Sequence, residues 1–259
     1  MLIPPGSRAA GVITASAGNH GLGVAYAAAA FQTKATVYVP LAANPLKVEA
    51  IKGLGARVVA AGATYHDAFV AASAEQERTG ATFVHAYNDP DVVAGQGTVG
   101  FELLSQLETF DSVIVPIGGG GLISGIAMYV KSQQPSVRVI GVEPVGADSM
   151  LRSLDAGRIV TLDRVSTIAD GLAASSPGTV TFEMARRFVD EIVRVEDEEM
   201  LRAIRLTFEL EHILTEPAGA AGVAALLRLS PRRPGERVVV IMSGANVSGE
   251  VLAQALKSS

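Results

Sequence analysis

The chain has no cysteine and no tryptophan among its 259 residues. Without cysteine there are no disulfides and no thiolate metal sites, which excludes a disulfide-stapled secreted domain. Aromatic residues make up 5% of the chain and charged residues 18%. The net charge is −5 and the pI is near 5.4. This sparse, acidic balance supplies no positive field for nucleic acid or an anionic membrane, so neither is expected as a partner. Lys and Arg are scattered. The one dense basic pair, Arg232-Arg233, stands between Pro231 and Pro234 and reads as a solvated loop. No run of 18 apolar residues occurs, so no membrane-spanning helix is expected, and Met1–Arg8 has no signal-peptide pattern. A cytoplasmic protein is expected. Hydrophobic residues, by contrast, reach 49%, enough at this length for one large or two modest domains.

Strand-like and helix-like segments alternate along the chain. Strands are expected at Gly11–Ala15, Thr36–Val39, Arg57–Ala60, Phe83–His85, near Val113, at Arg138–Val142 and, buried, at Arg237–Met242. Helices are expected at Gly21–Phe31, Pro45–Leu54, Tyr65–Arg78, Thr98–Leu107, Leu122–Gln133, Thr179–Val189, Asp197–His212 and Ala218–Leu227, with a loop-rich stretch from Leu151 to Pro177. The strands are apolar and non-alternating, which implies an α/β fold with parallel sheets covered on both faces. Ligand sites in such folds lie at the carboxyl ends of strands.

Three loops hold that position. The first to weigh is Gly118-Gly119-Gly120-Gly121-Leu122, which follows the apolar run Val113–Ile117 and precedes a helical pattern. Side-chain-free residues let successive N–H groups converge at a helix N-terminus, where the dipole favours a phosphate dianion. A tight turn would need only one or two glycines. The second loop, Ser16-Ala17-Gly18-Asn19-His20, opens a helix and is rich in small donors. Its amides and the Ser16 hydroxyl suit a carboxylate, or Ser16 or Asn19 simply caps the helix. The third, Ser243-Gly244-Ala245-Asn246-Val247, places a hydroxyl after the final strand; taken alone it reads as an ordinary turn. Gly95-Gln-Gly97-Thr-Val-Gly100 fits a dinucleotide pattern but follows a turn, not a strand, so a helix start is expected there and a nicotinamide-dependent dehydrogenase is disfavoured.

The loops together resemble the fold-type II pyridoxal-phosphate enzymes, in the serine/threonine dehydratase and serine racemase branch. The resemblance runs through TASAGNHG at Thr14–Gly21, AGQGT at Ala94–Thr98, GGGGL at Gly118–Leu122, GVEP at Gly141–Pro144, TIADGLA at Thr167–Ala173, EPAGA at Glu216–Ala220 and SGANV at Ser243–Val247. It implies a two-domain fold, with a small α/β domain over residues 9–88 and a large one over 89–259. It also implies pyridoxal 5'-phosphate with its phosphate on Gly118, Gly119, Gly120, Gly121 and Leu122, its ring hydroxyl near Asn19 and its ring nitrogen facing Ser243. Ser16, Ala17, Gly18, Asn19 and His20 would bind the substrate carboxylate. The implied reaction is β-elimination of water from L-threonine or L-serine to a 2-oxo acid and ammonia, in a homo-oligomer.

Details of residue type refine this. A serine opposite the ring nitrogen does not enforce protonation as an aspartate would, which suits elimination of a β-hydroxyl. His20 resembles the dehydratases and racemases. Ala17 stands where racemase-like members carry a second serine, so racemisation is expected to be poor. Glu143 and the Ala147 carbonyl resemble part of a divalent-cation site, for Mg or Ca by the hardness of oxygen ligands. That site expects an aspartate where this chain has Ser149, although Asp148 is adjacent.

The main departure is the Schiff-base lysine, which the family carries upstream of the Asn19 loop. No lysine precedes Lys34. Lys34, Lys47 and Lys52 are expected to be solvated charges, so no residue of the chain is assigned a catalytic role. Met1 is expected to be an internal methionine of a longer protein, with residues 1–8 the remnant of a segment before it. These residues by themselves are expected to bind the cofactor weakly and to show no dehydratase activity. A non-catalytic cofactor-binding protein and a serine racemase-like isomerase are the alternative readings.

Overall fold

The computed structural model describes residues 9–229 and 235–258. The 1–8 segment and the Arg232-Arg233 loop lie outside the described residues. The chain divides into two compact units, one ending at Asp89 and the other beginning at Pro90.

The first unit runs β1 (Val12–Ala15), α1 (Asn19–Ala30), β2 (Ala35–Val39), α2 (Pro45–Gly53), β3 (Arg57–Ala60), α3 (Tyr65–Thr79) and β4 (Thr82–Phe83). Its sheet is parallel, in the order β3-β2-β1-β4. Successive strand residues take opposite faces: Val12, Val37 and Val39 pack with Val24, Ala28 and Ile51, and Ile13, Ala15 and Tyr38 with Ala68 and Ala72. Covering both faces explains the unbroken apolar runs. Local chemistry sets the helix ends. The Asn44 side chain accepts from Leu46 N–H ahead of α2, Thr64 and Asp67 form a capping box on α3, and Gly80 ends that helix at φ 68°.

The second unit contains α4 (Pro90–Gln106), β5 (Ser112–Pro116), α5 (Gly121–Gln133), β6 (Arg138–Pro144), α6 (Ser149–Ala156), α7 (Thr179–Phe188), β7 (Glu191–Val195), α8 (Asp197–Glu211), α9 (Pro217–Arg228), β8 (Val238–Val240) and α10 (Gly249–Ala255). Its parallel order is β7-β6-β5-β8. Ile114, Ile140 and Val142 face Met200, Ile204 and the alanines of α9, while Val113, Val115 and Val139 face Ile123, Ile126 and Phe182.

Several expectations need correction. Helix α4 begins at Pro90, not near Thr98, so Gly95–Gly100 lies inside it. The reason is packing. A Cβ on Gly97 would meet the Gly125 carbonyl at 3.3 Å, one on Gly100 the Ile126 carbonyl at 3.2 Å, and one on Gly125 the Val93 carbonyl at 2.3 Å. These glycines let α4 and α5 touch backbone to backbone. Helix α6 stands where loop was expected, because its first-turn N–H groups are capped by Glu143, a residue of β6. Strand β7 was missed; it pairs with β6 at one edge of the sheet and is half-buried. Helix α10 was also missed, and its cap, Ser248, accepts from Val251 N–H. The last strand is shorter than expected and only partly buried, at the other edge.

Candidate functional site

Within the second unit, parallel order brings the carboxyl ends of β6, β5 and β8 to one edge of the sheet. After β5, Ile117 N–H still bonds the Val142 carbonyl at 2.7 Å. The chain then turns through Gly118, Gly119 and Gly120 into α5 at Gly121. Gly120 adopts φ +94°, and a Cβ there would sit 2.6 Å from Met150 Cε and 2.9 Å from Thr181 Cβ; a Cβ on Gly118 would lie 3.0 Å from the Gly171 carbonyl. Only glycine fits this turn. The first N–H groups of α5 have no partner in a preceding helical turn, and the N-cap residue, Gly120, has no side chain to cap them. Gly119, Gly120 and Gly121 are buried and Leu122 is half-buried. A buried glycine turn at a helix N-terminus fits a phosphate group.

Ser243 follows β8 at the same edge, with its residue exposed. Its loop is seated on α9: the Gly244 carbonyl accepts from Glu216 N–H at 3.0 Å, and a Cβ on Gly219 would fall 2.3 Å from that carbonyl. EPAGA and SGANV are therefore two halves of one contact, which sequence order hides.

Within the first unit, Ser16, Ala17, Gly18, Asn19 and His20 form the turn from β1 into α1. Ser16 N–H bonds the Tyr38 carbonyl at 3.0 Å, continuing the sheet ladder. Gly21 must be glycine, because a Cβ would sit 2.4 Å from the Ser16 carbonyl. Helix α1 begins at Asn19 with Gly18 as its N-cap and no side-chain cap bond. Ser16 does not cap the helix; its Oγ accepts from Gly18 N–H at 3.2 Å, which leaves the hydroxyl proton available to donate. His20 lies beneath the loop, its Nε2 at 3.0 Å from Thr14 Oγ1 and 3.1 Å from the Val84 carbonyl. The Thr14 hydroxyl proton points to that same carbonyl at 2.8 Å. Both partners thus face the ring as acceptors, so Nε2 carries the proton and Nδ1 the lone pair. Burial holds the His20 pKa below the usual histidine value, against the Val84 bond. Asn19 and the Gly118–Leu122 loop belong to different units.

Glu143 and Ala147 stand beyond β5, on and just after β6. The Glu143 carboxylate is fully buried and accepts from Met150 N–H at 2.8 Å and Leu151 N–H at 2.9 Å. Burial, partly opposed by those two bonds, pushes its pKa up to about 8. Asp148 is paired with Arg152 at 2.7 Å and Arg194 at 3.2 Å. Among the described residues no group of three or more His, Asp or Glu is gathered for a metal ion. Both carboxylates thus already serve as acceptors, Glu143 to backbone N–H groups and Asp148 to guanidinium groups.

Lys34 is exposed and sits just before β2, at the amino edge of the sheet, opposite the Ser16 loop. Lys52 is exposed and pairs with Glu49 at 2.8 Å. Lys131, near the C-terminal end of α5, pairs with Asp190 at 2.7 Å. Sequence reasoning missed Thr181 and Met150, which wall the glycine turn; they lie far along the chain from Gly120, and no local pattern marks them.

A parallel α/β unit with a glycine-built turn between a strand and a helix N-terminus is one that can seat an anion on backbone amides. The pattern of the family described as "Pyridoxal-phosphate dependent enzyme" matches residues 4–244, and the chain belongs to that family. It is 45% identical over 240 residues to an L-threonine ammonia-lyase of Thermotoga maritima, a match covering 93% of this chain and 60% of that protein. It is 40% identical over 256 residues to a serine racemase of Arabidopsis thaliana, covering 97% and 77% respectively. Its fold matches the processed form of threonine deaminase isoform 2 from Solanum lycopersicum with a TM-score of 0.93 at 34% identity, over 100% of this chain and 76% of that one. The architecture is thus PLP fold type II. The chain spans about three fifths of the length of the Thermotoga protein.

Proposed function

We propose that the chain carries the cofactor-phosphate and substrate-carboxylate sites of a pyridoxal-phosphate-dependent dehydratase, which eliminates water from L-threonine or L-serine and yields, after hydrolysis, the 2-oxo acid and ammonia. The observation that carries this reading is the Gly118–Gly121 turn, which leads into a helix N-terminus and is too crowded at Gly118 and Gly120 for a side chain. When bound, pyridoxal phosphate supplies an electron sink that acidifies the substrate α-carbon. In this reading Gly118, Gly119, Gly120, Gly121 and Leu122 hold the phosphate, and Asn19 the ring hydroxyl. Ser243 faces the ring nitrogen as a neutral partner and does not force its protonation. The Ser16–His20 loop binds the substrate carboxylate with amides and the Ser16 hydroxyl. His20 stays neutral and braces the loop from below. Ala17 has no proton to exchange, which favours elimination over racemisation. The Schiff-base lysine is not assigned to Lys34, Lys47 or Lys52. A homo-oligomer working in the cytoplasm is part of the same proposal.

The test is to isolate the protein as the cell makes it, supply pyridoxal phosphate, and follow 2-oxo acid and D-serine from L-threonine and L-serine. Release of 2-oxo acid with little D-serine supports the reading. Predominant D-serine supports the isomerase alternative, and bound cofactor with neither product supports a non-catalytic binding protein. Failure to bind the cofactor overturns the assignment of the loop.

A further inference from the structure

A run of glycines is permissive in its backbone conformation. Each peptide plane in Gly118–Gly121 can rotate at little steric cost, so nothing within the loop selects the orientation that turns N–H groups, rather than carbonyl oxygens, toward an anion. The selecting contact comes from elsewhere. The hydroxyl of Thr181, fully buried in the first turn of α7, donates to the Gly119 carbonyl at 2.6 Å. Its lone pair accepts from Gly178 N–H at 2.9 Å. The Gly178 carbonyl is also within reach, at 3.2 Å, but the Gly119 bond is the shorter and takes the single proton. In a trans peptide the C=O and the following N–H point in opposite directions. With the Gly119 carbonyl tied to Thr181, the Gly120 N–H is directed away from α7. A flipped plane would present a carbonyl dipole to the dianion instead.

We propose that Thr181 is a positioning residue of the phosphate loop: it fixes the Gly119–Gly120 peptide so that the Gly120 N–H donates to the cofactor phosphate. The inference rests on the phosphate reading of this loop. Thr181→Val keeps the shape and removes the hydroxyl, whereas Thr181→Ser keeps the hydroxyl. Inorganic phosphate and pyridoxal phosphate binding are followed by phosphorus NMR, and binding of pyridoxal, which lacks the phosphate, by absorbance. Thr181→Val is expected to weaken phosphate and pyridoxal phosphate by about tenfold, the worth of one such hydrogen bond, while leaving pyridoxal unchanged. Thr181→Ser should stay within about twofold of the parent, since the bond survives. A merely structural role would weaken all three ligands together, or none. In the unaltered protein, phosphate should shift the Gly120 amide proton resonance downfield, a readout that needs no variant to fold. An unmoved Gly120 resonance on phosphate binding, or a Thr181→Val protein that binds phosphate as tightly as the parent, overturns the inference and leaves the loop assignment standing. An unaltered protein that binds neither phosphate nor pyridoxal phosphate overturns both.

Discussion

Gly95 and Gly125 are both helical glycines, and by helix propensity alone alanine should stabilise the fold at either one, by up to about 1 kcal/mol. The tertiary structure separates them. Gly95 is exposed on α4, and a Cβ there meets nothing within 4 Å. Gly125 on α5 faces α4 so closely that a Cβ would lie 2.3 Å from the Val93 carbonyl and 2.5 Å from Gly97 N, where ordinary contact begins at 3.4 Å. The atoms in the way are hydrogen-bonded backbone, so relief requires one whole helix to retreat by about 1 Å. Overpacking of that kind costs up to about 3 kcal/mol. After the propensity gain, Gly125→Ala should lose about 2 kcal/mol, while Gly95→Ala gains about 0.5–1 kcal/mol. In a domain of this size that corresponds to a melting temperature lower by about 4–8 °C in the first case and raised by a few degrees in the second. Far-UV circular dichroism in urea is the suitable assay, because the chain has no tryptophan. Gly125 is also one turn from Gly121, so the retreat should loosen phosphate binding. A Gly125→Ala protein as stable as the parent, or equal losses at both sites, would refute the backbone-contact reading of these glycines.

Three further outcomes are expected. Gly120→Asp should abolish detectable pyridoxal phosphate binding by equilibrium dialysis, since it adds both a clash with Met150 and Thr181 and a fixed charge beside the dianion; undiminished affinity would remove the phosphate from this loop. In the protein as the cell makes it, Ala17→Ser should raise the share of D-serine formed from L-serine, measured by chiral chromatography, and abundant D-serine from the unaltered protein would show that another group protonates the second face. His20 and His85 are both held below the usual histidine pKa, chiefly by burial, and His85 Nδ1 accepts from Tyr87 and Asn88 N–H. The native state therefore binds fewer protons than the unfolded chain below the unfolded value of 6.5. This stability is fully present above that pH and is lost as pH falls from there through the lower folded-state values. Urea midpoints compared at about pH 7.5 and 5.5 should drop, and drop less in His20→Gln; a midpoint indifferent to pH contradicts the neutral tautomers.

Much of the fold was legible in the chain because its signals are local. The short apolar, non-alternating runs at Val113–Ile117 and Thr36–Val39 read as strands buried on both faces. Gly118–Gly121 after a strand already reads as a turn into a helix N-terminus. What stayed hidden depends on contacts between distant residues. Helix α6 needs its cap from Glu143 on the preceding strand, so Leu151 onward looked like loop. Gly95–Gly100 looked like a helix start because the partner that requires its small residues, Gly125, lies on the next helix. Strand β7 is a half-buried edge, with too little apolar character to stand out.

The candidate site divides along the same line. Residue order alone placed the Ser16–His20 and Gly118–Leu122 loops between a strand and a helix, because a turn of that kind needs only glycine and small residues in the right place. It could not show that the Glu143 carboxylate is taken up by two helix amides, that His20 carries its proton on Nε2 beneath its loop, or that a threonine on α7 holds the Gly119 carbonyl. Each of these depends on the direction in which a buried group points, and direction is set by tertiary packing.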